Sequence, residues 1–327
     1  MSKPFKTYRQ QLAILRNRNL TINDGSKAIA ILKNEGYYNV INGYKHIFLD
    51  ENLTKQYGTE MYKLGTEFEY IHALYEFDRN MRSILLKYIL KMEQSLKTKV
   101  SYHFSAQFRQ EFNYLNINNF DNTDPRNATK LLSRLSDVIQ SNSTPSDQGG
   151  QFYHYLNHHK ELPLWVLVTK MTFGNIVYFY KTMQQKTKDA VTKEIVETYE
   201  KSYRTTVAIP LQQQENFISM MITFINNFRN ICAHEERLYN YIDKNKSRKQ
   251  LGISLFHKSP TLPFMSKLID CIIILGLFIP KKDYKCLTRL ITDEINKLST
   301  QLPQNVFNEI LIKMGFSKNW KQDLNLP

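Results

Sequence analysis

Between Glu67 and Phe104, Ile71, Leu74, Met81, Leu85, Ile89, Met92, Leu96 and Val100 recur at three- and four-residue steps. That spacing is one apolar stripe on a helix and predicts a single long element. Arg79, Arg82, Lys87, Lys91, Lys97 and Lys99 cover much of the remaining surface. Glu93 stands nearly alone among these cations, close to the stripe by helical phase. It is either a buried structural partner or a supporting group behind a site. A second helix is expected from about Gln213 to Ile242, its buried side formed by Phe217, Met221, Phe224, Phe228, Ile231, Leu238 and Tyr241. Alternating strand patterns are scarce and no internal repeat is present, so the expected class is all-α.

Punctuation places the rest. Asp24 suits an N-cap, with a short helix through Leu32 ending near Gly36. Tyr37, Tyr38 and Tyr44 then cluster around Gly43, for local packing or for contact with RNA. The stretch Asn116–Gln151 is polar and encloses one helix near Ala128–Ile139; its run QSNSTPSDQGG reads as a loop. Pro163 suits a helix start, with Trp165 near its head, and Gly174 marks a break or a close helix contact. KNKSRKQ, from Lys244, reads as a surface loop. Further helices are expected near Pro263–Phe278, Asp283–Ser299 and Asn305–Met314. The implied organisation is a basic N-terminal module (1–60), a helical domain with inserted loops (61–300) and a C-terminal helix with tail (301–327).

Charge narrows the partners. The formal net charge is +14 and the isoelectric point is about 9.4. That balance points to a polyanion, either nucleic acid or an anionic membrane surface. The 20 Tyr and 19 Phe residues supply rings able to stack on bases. Cys232, Cys271 and Cys286 form neither a disulfide framework nor a zinc knuckle, which fits a reducing cytosol. The start MSKPFKTYRQQ lacks the apolar run of a signal peptide, and CIIILGLFIP is too short to span a bilayer and reads as buried helix. A cytoplasmic location is expected.

The candidate chemistry lies in FINNFRNICAHEERLYNYI. Asn230 and His234 are four apart and would share a helix face, so Asn230 could hold the imidazole in one tautomer. Arg237 lies three beyond His234 on the same side. Arg229 and His234 are five apart, roughly 140° around a helix, so one helix presents them awkwardly to a single phosphate. Two copies facing each other across a two-fold axis would solve this, which makes a homodimer a chemical expectation. Histidine titrates near neutrality and can take a proton from a ribose 2′-hydroxyl or give one to the leaving 5′-oxygen. A guanidinium can grip the phosphate and stabilise the charge gathering on it. The substrate supplies its own nucleophile, so no metal or other cofactor is required. The products would carry 2′,3′-cyclic phosphate and 5′-hydroxyl ends, and DNA should resist. Lys244, Lys246, Arg248 and Lys249, with Arg79 and Arg82, could hold the RNA backbone.

A bare Arg-x4-His is a weak signal; its surroundings are more specific. LKNEGYYNVINGY (Leu32–Tyr44), the block Phe68–Phe104, LPLWVLVTKMTFG (Leu162–Gly174) and FRNICAHEERLYN (Phe228–Asn240) occur in that order. On these blocks the chain resembles the Abi-like family of abortive-infection proteins, within the HEPN superfamily. The resemblance implies a HEPN-like helical bundle, phage defence, and RNA cleavage by Arg229 and His234 from paired protomers. It also implies that Asn230 fills the polar position after the arginine and Glu93 the acidic position on the earlier helix. Family members can act as toxins restrained by a partner, including non-coding RNA.

Other constellations carry less. His154 and His158 would share a helix face and could bind zinc, and His158 or His159 could instead touch RNA phosphate. Cys232 lacks an oriented base, because His234 faces away from it. No phosphate-binding GxxxxGK[ST] loop and no paired-carboxylate metal cluster stand out. Two rivals to the ribonuclease stand. One is a non-catalytic RNA-binding or RNA-sensing defence module on the same scaffold. The other is a membrane-acting effector that would have to expose Cys271–Pro280.

Overall fold

The computed structural model describes residues 4–143, 150–244, 266–317 and 319–324. The helices are α1 (Tyr8–Asn17), α2 (Gly25–Glu35), α3 (Glu51–Tyr57), α4 (Phe68–Gln107), α5 (Pro125–Ser141), α6 (Gln151–His154), α7 (Leu164–Lys170), α8 (Phe173–Thr182), α9 (Gln185–Tyr203), α10 (Leu211–Ala233), α11 (Leu268–Phe278), α12 (Lys281–Gln301), α13 (Gln304–Met314) and α14 (Trp320–Asp323). Short 3-10 and π turns join them. Among the described residues there is no strand, only three isolated bridges. The protein is all-helical.

The architecture is built around α4. At 40 residues it runs about 60 Å at 1.5 Å per residue, and α7, α9, α10, α11 and α12 all pack along it. Every residue of the expected stripe from Ile71 to Val100 is buried. Neighbours on several sides also bury residues off the stripe. Arg82 and Lys97, expected on the cationic outer surface, are buried instead. Each pairs with a carboxylate four residues earlier: Arg82 with Asp78 and Lys97 with Glu93, both at 2.8 Å. The acid lies N-terminal to the base in both pairs, the favourable order on a helix.

Local punctuation follows its chemistry. Asp24 caps α2 by accepting the Lys27 N–H, and α2 ends at Gly36 with φ +81°, a conformation glycine adopts without a Cβ clash. The break before α8 falls at Met171–Thr172, not at Gly174, because the Thr172 side chain caps the new helix. Gly174 sits inside α8, where an added Cβ would lie 3.9 Å from the Asn226 side chain on α10. The apolar run forms α11, buried along nearly its whole length. No helix among the described residues is long and apolar enough to cross a membrane, and the segment a membrane-acting effector would expose lies in the core.

The N-terminal helices form a small layer over the first turns of α4. Backbone bonds stitch it down: Thr21 N–H to Thr66 at 2.9 Å, Phe68 N–H to Thr21 at 2.9 Å and Tyr62 N–H to Arg18 at 2.8 Å. Glu35, at the end of α2, adds a polar latch by accepting from the Tyr75 hydroxyl at 2.7 Å and from Arg79 at 3.0 Å. The Tyr75 hydrogen bond holds the Glu35 carboxyl below its ordinary value of 4.5. Its stabilising contribution is therefore complete above that value and is lost as pH falls through the lower folded value. Glu35→Gln should cost about 1 kcal/mol at neutral pH, a modest sum because Arg79 is half exposed. The gap between the variant and the wild type should narrow as pH falls below 4.5. Urea unfolding at pH 7 and pH 3.5 checks this; a pH-independent difference would contradict it.

Candidate functional site

The motif helix is shorter than its periodicity predicts. α10 ends at Ala233, and His234 is its C-cap, with its N–H on the Asn230 carbonyl at 2.9 Å. Glu235 then takes φ +54°, and the Glu236 N–H returns to the Ile231 carbonyl at 3.1 Å. This is a Schellman-type ending with glutamate where glycine is favoured; left-handed backbone costs a residue with a Cβ about 1–2 kcal/mol. The continuing apolar residues Leu238 and Tyr239 are buried by a loop, not by more helix.

Asp78 holds that loop in place. Its fully buried carboxylate accepts from the Leu238 N–H at 2.9 Å, the Tyr239 N–H at 2.7 Å, the Tyr44 hydroxyl at 2.7 Å and Arg82 at 2.8 Å. Arg82 also donates to the Tyr44 hydroxyl at 3.1 Å and to the Glu236 carbonyl at 3.3 Å. Burial pushes the Asp78 carboxyl up, opposed by the Leu238 N–H, Arg82 and Tyr44. Arg237 adds a second tie, donating to the Gly43 carbonyl at 3.0 Å. Three separate stretches of sequence thus meet at one carboxylate.

Around this hub lies a hollow of about 320 Å³, with His234, Glu235, Arg237 and Arg82 on one side and Tyr38, Asn39, Asn42, Gly43, Tyr44 and Tyr75 on the other. His234 is exposed at its rim. Arg229 is not among the residues lining it. Its Nε faces the buried Glu93 Oε2 at 3.9 Å, beyond hydrogen-bond distance. Neither atom has a hydrogen-bond partner among the described residues. Glu93 thus combines the structural role with Lys97 and a charge contact to Arg229. The chain brings His234 and Arg237 together in the hollow but leaves Arg229 elsewhere.

The other expected positions divide. Asn230 is exposed and makes no side-chain hydrogen bond to His234 among the described residues. Arg82 is buried beneath the hollow rather than free on the surface, and the exposed Arg79 is paired with Glu35. Lys244 is exposed; Lys246, Arg248 and Lys249 lie outside the described residues. Rings of His154, His158 and His159 neighbour one another. Among the described residues, no group of three or more His, Cys, Asp or Glu side chains is placed to hold a metal ion. Cys232 is buried, which pushes its thiol up to about 12, so it is a packing residue.

The model of one protein family, the Abi-like proteins, matches residues 30–240. This is more than half of the chain. The chain belongs to this family. The matched region takes in the hub, the hollow and both Arg229 and His234, and leaves α11–α14 outside. Neither a curated protein nor a solved structure matches the chain.

Asp78 is the functional-region residue that the sequence reading missed. The signal was present: a carboxylate four after Leu74 and four before Arg82, on the apolar stripe. Removing it would leave Arg82 buried without its counter-charge and two backbone N–H groups without their acceptor. Asp78→Ala should cost about 3–5 kcal/mol, and amide exchange should accelerate first at residues 234–239. A wild-type melting temperature with unchanged exchange there would contradict this role.

Proposed function

We propose that this Abi-like protein is a metal-independent endoribonuclease of phage defence, built on a HEPN-like bundle and acting in the cytoplasm as a homodimer. The observation that carries the reading is the presentation of His234: exposed, at the capped end of α10, beside the Arg237 guanidinium and an aromatic wall, within the family-matched region. The basic balance of the chain supports a polyanionic substrate.

In this reading the His234 imidazole removes the proton from a ribose 2′-hydroxyl. The freed oxygen attacks the adjacent phosphorus and the P–O5′ bond breaks. The departing oxygen takes up a proton from water while the imidazolium returns its own to solvent, leaving a 2′,3′-cyclic phosphate and a 5′-hydroxyl. Arg229 of one protomer neutralises the non-bridging oxygens at the His234 of the other. Its Nε lies 3.9 Å from Glu93 without a hydrogen bond, so turning the guanidinium toward a phosphate breaks none there. Glu93 and Arg237 serve as positioning residues, and Lys244 with the basic run after it extends the binding surface.

The test is cleavage of a mixed RNA pool by the purified protein in EDTA, with analysis of product ends, wild type beside His234→Ala. Cyclic-phosphate ends should form, and the variant should be slower by at least about 100-fold. Equal cleavage by both would remove His234 from the chemistry. Tight RNA binding without cleavage in either would replace the enzyme with an RNA-sensing module.

A further inference from the structure

The hollow at His234 does not end at its own wall. Asn42 lines it on one side and on the other lines a second, larger groove of about 940 Å³ in the N-terminal layer. That groove carries Lys6, Arg18, Lys45 and Lys55 on its walls against one acid, Glu60. Glu60 is already committed to Arg18 at 3.0 Å and Lys45 at 2.7 Å, and Lys6 and Lys55 are exposed. The groove therefore keeps an excess of positive charge after its internal pairing. On the wall of the hollow stands Tyr38, 77% exposed, with exposed Asn39 next to it.

This combination has a specific chemistry. A cationic groove follows a phosphate backbone, and an exposed ring beside it receives an unpaired base by stacking. An amide next to that ring can hydrogen-bond the base edge. At about 320 Å³ the hollow is at the small end of ligand pockets, which begin near ~300 Å³. That suits one splayed nucleotide rather than a duplex. A paired helix would withhold its base faces from Tyr38.

We infer that the N-terminal layer is the substrate-reading half of the site: it binds single-stranded RNA, stacking one base on Tyr38 next to His234 and leading the adjoining strand past Asn42 into the groove walled by Lys6, Arg18, Lys45 and Lys55. This rests on the ribonuclease reading for the meaning of the hollow. The groove itself makes a separate prediction about binding.

The experiment measures equilibrium binding of a fluorescent 12-nucleotide RNA by anisotropy, in a His234→Ala background so that nothing is cut. Lys6→Glu combined with Lys55→Glu should weaken binding at least about tenfold and lower the salt slope of log K by between one and two. Tyr38→Ala should weaken binding of the single strand by about tenfold and leave that slope unchanged. A charge-matched control, Lys186→Glu with Lys193→Glu on α9, should bind within about twofold of the parent. That helix packs toward the other end of α4, where Glu194 meets Lys99 and His103. The substituted side chains Lys6, Tyr38, Lys55, Lys186 and Lys193 are exposed, and matching melting curves would confirm folding. Unchanged binding in the Lys6/Lys55 variant, equal loss in the control, or a blunt-ended duplex that binds as tightly as the single strand would each overturn the inference. Normal binding by the groove variants, with cleavage abolished by His234→Ala, sinks the groove and spares the ribonuclease. Weakened binding with cleavage untouched by His234→Ala does the reverse.

Discussion

One buried carboxylate organises the molecule. Asp78 lies in the first third of the longest helix with no access to solvent, and an isolated charge there would be very costly. It is tolerated because four donors converge on it: a tyrosine hydroxyl from the N-terminal layer, an arginine from the next turn, and two backbone N–H groups from the loop after the motif. Each donor is thereby placed to within hydrogen-bond tolerance. The interaction does little for net stability compared with an apolar core of the same volume, but it fixes geometry. It determines where the chain goes after His234 and where the N-terminal layer sits opposite it.

The second buried pair on the same helix, Glu93 with Lys97, has a different character. Its second oxygen faces Arg229 at 3.9 Å without a hydrogen bond. The Asp78 hub is closed and saturated; the Glu93 site keeps unspent hydrogen-bonding capacity at the one guanidinium that the proposed chemistry needs. A tight hub beside a loose arginine is a reasonable division of labour. The loop carrying His234 is tied to Asp78, while Arg229 meets Glu93 through charge alone.

Much of this was legible in the sequence, and the failures have physical causes. The apolar stripe of α4 appeared as predicted because eight positions in register leave one helical phase open. The Asp24 cap and the Gly36 ending agreed because those residues do there what their side chains allow. The end of α10 was misjudged because Leu238 and Tyr241 continue the apolar rhythm while the glycine that usually signals a stop is replaced by Glu235. Arg82 and Lys97 were placed outside because periodicity counts apolar residues alone. Reading each cation with the acid four residues before it would have moved both inward and found Asp78. The angular argument for Arg229 and His234 assumed that both lie within one helix, whereas His234 is the C-cap that follows it.

The most direct measurement is complementation between two inactive chains. Arg229→Ala and His234→Ala proteins would be co-expressed with different tags and the doubly tagged species isolated. If Arg229 of one protomer serves His234 of the other, that heterodimer has one intact site and one doubly broken site. It should regain about half of the wild-type cleavage rate, far above either parent. A heterodimer no more active than its parents would contradict a site shared in this way.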